Sequence, residues 1–188
     1  MGSAQPSSIT PGHWDCSAQG DSWFWKLRVG CTQNCCHFFS YLCVEFQIRM
    51  ASKVIKKTLE EAKGVENAEI DFSDKAIERL EPDMTRMWGM KNITRLTLSH
   101  NKITELPPAV ASMENLEILN LFNNLLEEVP QSLCGMPRLR ILNLGVNKLS
   151  KLPRGFGSLP SIEILDLSYN NLNEDSLPSN FFIMATCR

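Results

Sequence analysis

The stretch that decides the fold is Leu116-Glu-Ile-Leu-Asn-Leu-Phe-Asn-Asn124, because it recurs without a gap. It returns as Leu139-Arg-Ile-Leu-Asn-Leu-Gly-Val-Asn147 and as Ile162-Glu-Ile-Leu-Asp-Leu-Ser-Tyr-Asn170, and it is preceded by Ile93-Thr-Arg-Leu-Thr-Leu-Ser-His-Asn101. The closing asparagines Asn101, Asn124, Asn147 and Asn170 are 23 residues apart each time. Two places after each stands an apolar residue (Ile103, Leu126, Leu149, Leu172). In the first three copies an apolar-proline pair follows, at Leu106-Pro107, Val129-Pro130 and Leu152-Pro153. A fixed period of this length marks a stack of similar coils, each burying its apolar side against its neighbours.

Each position has a mechanical reason. Alternation in Leu-x-Leu makes a short strand whose leucines point into the core and whose intervening residues point to the concave face. The asparagine stands where the chain turns inward, and its amide can pair backbone groups of adjacent coils that would otherwise be buried without partners. Removing one such amide is expected to cost roughly 1–3 kcal/mol. The proline stops the strand and sends the chain along the convex side. The pattern therefore predicts an α/β leucine-rich-repeat solenoid, right-handed, with a curved parallel β-sheet inside and helical or irregular segments outside.

Both flanks depart from the repeat. Ile70-Asp-Phe72-Ser-Asp-Lys75-Ala-Ile77 keeps the apolar spacing but has Lys75 in place of the asparagine, as a degenerate terminal coil would. Ser52 to Lys63 reads as an amphipathic helix with Ile55, Leu59 and Ala62 on one side, suited to covering the open end. After Asn170 the pattern slips by two residues to Leu177-Pro178, and Phe181-Phe182-Ile183-Met184 reads as the convex part of an incomplete coil. The expectation drawn from that ending is a truncated or alternatively spliced form. Residues 1–49 hold three of the four tryptophans and no sustained period, and Met50-Ala-Ser-Lys resembles a start of translation. The predicted organisation is an irregular, disordered extension over 1–49, a capping helix and degenerate repeat over 50–92, and repeats over 93–188.

Composition narrows the function. With 19 basic and 21 acidic residues the formal charge is −2, which gives no field for nucleic acid or an anionic membrane. Lys53, Lys56 and Lys57 are followed at once by Glu60 and Glu61, the mark of a solvated helix face. Five of the seven cysteines (Cys16, Cys31, Cys35, Cys36, Cys43) precede residue 44, and only Cys134 and Cys187 fall among the repeats. The odd count and the absence of cysteine-rich caps point to a reducing, cytoplasmic setting. The apolar window from Trp23 to Ile48 is broken by Lys26, Arg28 and Glu45, so membrane insertion and a signal peptide are not expected. The sequon Asn92-Ile93-Thr94 is discounted as a short chance match.

No catalytic constellation emerges. His13 and His37 lie in the irregular N-terminus, and His100 has no cysteine or serine nucleophile evident beside it. Cys31, Cys35, Cys36 and His37 lack paired knuckle spacing for zinc. Arg154-Gly-Phe-Gly157 is followed by no lysine-serine pair and reads as loop geometry rather than a phosphate cradle. No cofactor or metal is expected. The candidate site is instead the concave face, a protein-binding surface. Its columns contain Arg95, Ile118, Ile141 and Ile164; Thr97, Asn120, Asn143 and Asp166; Ser99, Phe122, Gly145 and Ser168; and His100, Asn123, Val146 and Tyr169. An apolar strip rimmed by polar groups marks an interface, with aromatics carrying much of the energy; the alternative is that β-branched residues there merely suit strands.

From Ser52 to Phe182 the sequence resembles the Ras suppressor proteins, carried by Leu98-Ser-His-Asn-Lys102, Phe122-Asn-Asn124, Leu142-Asn-Leu-Gly145, Pro153-Arg-Gly-Phe-Gly-Ser-Leu-Pro160, Tyr169-Asn-Asn-Leu172 and Asn180-Phe-Phe182. The resemblance implies a non-catalytic cytoplasmic scaffold that binds a LIM domain of PINCH, joins the complex of integrin-linked kinase, PINCH and parvin at focal adhesions, and modulates Ras-linked signalling. Members of that family continue through further repeats. Alternatives are a regulatory or targeting subunit of a phosphatase or Ras-pathway complex, a substrate-recruiting part of a larger enzyme, and a splice product without function.

Overall fold

The structure, a computed structural model, describes residues 52–80 and 84–184. The disordered extension expected over 1–49, the Cys31 to His37 cluster and Cys187 lie outside these residues.

Helix α1 covers 52–62. Ile55, Leu59 and Ala62 recur at the i, i+4, i+7 spacing that gathers side chains on one face, and all three are buried. The opposite face is solvated: Lys53, Lys56, Lys57, Glu60 and Glu61 are exposed, with Lys57 paired to Glu61 at 3.8 Å and Lys63 to Glu60 at 2.6 Å. Asn92 Nδ2 donates to the carbonyls of Ala62 and Val65, both at 2.7 Å, satisfying acceptors that the helix end leaves open. The sequon nitrogen is thus engaged in fastening the helix to the first full repeat.

Strands β1 (Ala68–Asp71), β2 (Ile93–Thr97), β3 (Ile118–Asn120), β4 (Ile141–Asn143) and β5 (Ile164–Asp166) form one parallel five-stranded sheet in chain order. The register follows the repeat: Arg95, Ile118, Ile141 and Ile164 are partners in succession, as are Leu96, Leu119, Leu142 and Leu165, and Thr97, Asn120, Asn143 and Asp166. Alternation sends Leu96, Leu98, Leu119, Leu121, Leu142 and Leu144 inward to complete burial. Ile93, Leu116, Leu139 and Ile162 open the inner layer, and Ile103, Leu126 and Leu149 close it. On the outer side the chain runs through short 3-10 helices at Pro108–Ser112, Gln131–Gly135 and Phe156–Ser158, with Val110, Leu133 and Phe156 as their buried plugs. Pro107 and Pro130 precede the first two in extended conformation, where fixed φ costs nothing. So few residues per crossing suit the tighter helix.

The asparagines form the expected ladder. Asn124 Oδ1 accepts the Ile103 N–H at 3.1 Å, while its Nδ2 donates to Leu98 O and Leu121 O at 2.9 and 3.0 Å. Asn147 repeats this with Leu126 N–H, Leu121 O and Leu144 O, and Asn170 with Leu149 N–H, Leu144 O and Leu167 O. Each amide therefore reaches back into the preceding coil. Asn101 does the same for the degenerate coil, accepting from Lys75 N–H and Ile77 N–H and donating to Phe72 O. Lys75 and Asn101 are 26 residues apart, so this first coil is longer than the others, and it holds its shape without an asparagine of its own.

A feature absent from the sequence reading accompanies the ladder. The residue before each ladder position is left-handed: Asp74, His100, Asn123, Val146 and Tyr169 have φ of 56°, 55°, 55°, 55° and 53°. This conformation turns the chain off the strand so that the next side chain enters the core. It costs roughly 1–2 kcal/mol for an ordinary residue and suits asparagine far better than β-branched valine.

The two-residue slip after Asn170 also has a structural account. A 3-10 turn at Glu174–Ser176 takes up the extra length, closed by hydrogen bonds between Asn173 and Ser176, and Ser176 O then accepts the Leu152 N–H at 3.0 Å. Beyond it Phe181–Ile183 forms another 3-10 turn, and the Phe181 ring stacks on Phe156 at 6.4 Å. Gly157 makes that approach possible: a Cβ there would stand 1.9 Å from Asn180 O.

Candidate protein-binding surface

The strands end at the second column, so the surface has two parts: true strand positions, and a turn row just beyond them. In the first column Arg95 is exposed and pairs with Glu69 at 3.7 Å. Ile118 and Ile141 are half-buried, while Ile164 on the last strand is 50% exposed. Tyr169 is 84% exposed. The apolar row is continuous, because the register stacks the three isoleucines on adjacent strands.

The second column does structural service as well. Asn120 Oδ1 accepts the Phe122 N–H at 3.1 Å, Asn143 Oδ1 the Gly145 N–H at 3.0 Å, and Asp166 Oδ1 the Ser168 N–H at 2.9 Å. These are Asx turns, in which a short side chain ties down backbone two residues on. Asp71 does the same for Ser73 at 2.8 Å and also binds its hydroxyl; these hydrogen bonds hold the Asp71 carboxyl below its ordinary range. Thr97 is half-buried between them.

In the turn row Ser99 is buried rather than displayed, its Oγ 3.0 Å from Ser73 Oγ. His100 beside it is exposed, and its Nδ1 accepts from Asn123 Nδ2 at 2.9 Å. The Phe122 ring stands edge-on to His100, with centroids 5.6 Å apart and planes at 67°. On its other side Gly145 permits close packing: a Cβ would lie 3.2 Å from Phe122 Cδ2 and 2.8 Å from Asp166 Oδ2. Val146 is half-buried.

One column was missed. Glu117, Arg140 and Glu163 occupy the position just before the isoleucines, and Arg140 grips Glu163 with two parallel bonds, Nε to Oε1 at 2.8 Å and Nη2 to Oε2 at 3.0 Å, while Nη1 lies 3.8 Å from Glu117. Such fork-on-fork pairing fixes direction as well as distance. The signal was present as alternating charge at the repeat period. Away from this face, half-open grooves of about 620 and 560 Å³ lie beside the apolar-proline steps, one lined by Glu78, Leu80, Glu105 and Pro107, the other by Glu128, Pro130, Lys151 and Pro153. Neither gathers a catalytic set. Burial pushes the Cys134 thiol up, away from the reactive thiolate. Among the described residues no group of His, Cys, Asp or Glu is placed to hold a metal ion, and no helix is long and apolar enough to cross a membrane.

Comparison with known proteins agrees with this geometry. The family model described as "Leucine rich repeat" matches residues 91–149 and 114–172. Ras suppressor protein 1 of mouse is 49% identical over 62 residues, covering 33% of this chain and 22% of that protein; the human protein is 50% identical over the same shares. The chain thus spans about a fifth of the length of the curated relatives it matches. Among solved structures, a leucine-rich-repeat protein of Leptospira interrogans superposes with a TM-score of 0.59 at 27% identity, over 71% of this chain and 38% of its own. The chain carries leucine-rich repeats, stacked as a solenoid on one parallel sheet, and is similar through a third of its length to Ras suppressor protein 1.

Proposed function

We propose that this chain is a non-catalytic scaffold whose concave face docks a LIM domain of PINCH, and that it acts in the cytoplasm at focal adhesions, within the assembly of integrin-linked kinase, PINCH and parvin, to modulate Ras-linked signalling. The observation that carries the reading is the unbroken row Ile118, Ile141 and Ile164, flanked by Phe122 and Tyr169 and edged by the Glu117, Arg140 and Glu163 ladder. An apolar strip bordered by ordered charges is what a protein interface needs: area to bury and a rim to fix orientation. Likeness to Ras suppressor protein 1 supports the choice of partner.

The test is a titration of the full chain against isolated PINCH LIM domains, beside an Ile141→Glu, Tyr169→Ala double variant. Both positions are at least partly exposed, so the variant is expected to melt as the parent does while losing at least tenfold in affinity, about 1.4 kcal/mol. Equal binding by parent and variant would remove the concave face from the interaction. No binding by a folded parent would remove the partner.

A further inference from the structure

Asp166 differs from the glutamates of the concave face. Glu69, Glu117 and Glu163 each face an arginine, whereas Asp166 has no ion-pair partner among the described residues, although it is half-buried. Its Oδ1 is occupied by the Ser168 N–H, while its Oδ2 packs over Gly145, 2.8 Å from where a Cβ would stand, and the Phe122 ring closes on the same point at 3.2 Å. A carboxylate with one free oxygen beside an aromatic ring is complementary to a cation with an apolar or planar body. Phe122 meets His100 edge-on at 5.6 Å, and its other flank lies close over Gly145, where a Cβ would crowd the ring at 3.2 Å.

We propose that Asp166, Gly145 and Phe122 form a recognition subsite for an arginine side chain of a protein partner, the guanidinium pairing with Asp166 Oδ2 and its plane or stem lying on Phe122. Arginine fits better than lysine because its weakly hydrated, planar head stacks on a ring while donating to a carboxylate. The subsite rests on the reading of the concave face as an interface, and it adds the chemistry that the partner must present there.

The probe is the tripeptide acetyl-Gly-Arg-Gly-amide, titrated into the full chain and followed by NMR at the Gly145 and Ser168 amides and the Phe122 ring. The controls are the citrulline and lysine tripeptides. The Asp166→Asn variant keeps the turn, since Asn120 and Asn143 make that same bond in the same column. Saturable shifts with Kd on the order of millimolar, weakened about tenfold in Asp166→Asn and in Gly145→Ala, and absent with citrulline, are expected. Shifts that persist unchanged in Asp166→Asn, or that citrulline reproduces, would overturn the subsite; lysine binding as tightly as arginine would overturn the guanidinium assignment. Because the probe is independent of any LIM domain, failure of that partner with retained arginine binding separates the two readings.

Discussion

The second and last full repeats use nearly the same letters and end in different states. Leu119 on β3 and Leu121 just beyond it are wholly buried, and Asn124 beside them is sealed in the core. Their equivalents, Leu165 on β5 and Leu167 just beyond it, are only half-buried, and Asn170 with them. Nothing in Leu-x-Leu distinguishes the two. The difference is supplied by the neighbour: β3 is covered on both edges, β5 among the described residues on one. In a stacked array the buried area of a coil belongs to the pair of interfaces it makes, so one sequence motif carries two stabilities.

The sharpest way to break this comparison is to truncate equivalent leucines. Leu119→Ala is expected to cost about 2–5 kcal/mol, as for fully buried leucines, and Leu165→Ala distinctly less; urea unfolding of both full-length variants measures it. Equal costs would mean that the neighbour contributes nothing. Gly157→Ala acts on the terminal coil alone. Its new methyl meets Asn180 O, and relieving the clash is expected to cost about 1–3 kcal/mol. Faster amide exchange should then appear at Phe181 and Ile183 while Leu119 and Leu142 stay protected; uniform loss of protection would show that the coils do not respond separately.

Smaller effects sharpen the contrast within the turn row. Val146→Asn replaces a strained left-handed valine by the residue that Asn123 already shows to be suitable there, and should raise stability by about 0.5–1 kcal/mol in a thermal melt. A lower melting temperature would place Val146's packing above its strain. The smallest effect concerns pH. The Asp71 carboxyl is lowered by the Ser73 hydroxyl and amide, so folding favours its ionised form. Its contribution is complete above the ordinary aspartate range near about 4 and fades as pH falls through the lowered value. Asp71→Asn should therefore destabilise the chain slightly at pH 7 and by less in acid, with the difference read from paired melts.

The period-2 alternation with a 23-residue return was enough to place every strand partner from Arg95 to Asp166, since burying one face of a strand permits a single register. The ladder asparagines were legible for the same reason: a polar residue at a fixed inward position must satisfy buried backbone. Less legible was what the outward residues do to each other. Asn120, Asn143 and Asp166 read as free contact groups, yet each spends an oxygen on its own turn, because Asx geometry depends on where the strand ends and not on which way it faces. Gly145 stood in a column with Phe122; that Phe122 and Asp166 meet over it requires knowing side-chain directions on three adjacent strands. The left-handed row was hidden because His, Asn, Val and Tyr share no chemical signature; only the backbone unites them.

The ladder also gives the molecule a mechanical polarity. Every asparagine from Asn101 to Asn170 holds the coil before it, so a coil is fastened by its successor and releases its predecessor only after it has itself come away. Pulled from its C-terminal side, such a chain should unreel in order, one repeat per event, each event yielding roughly 80 Å of extended polypeptide at about 3.5 Å per residue. Pulled from the other side it must first strip α1 and the longer first coil, whose backbone Asn101 pins. Under load the stack should act as a ratcheted spool that gives up line from one end.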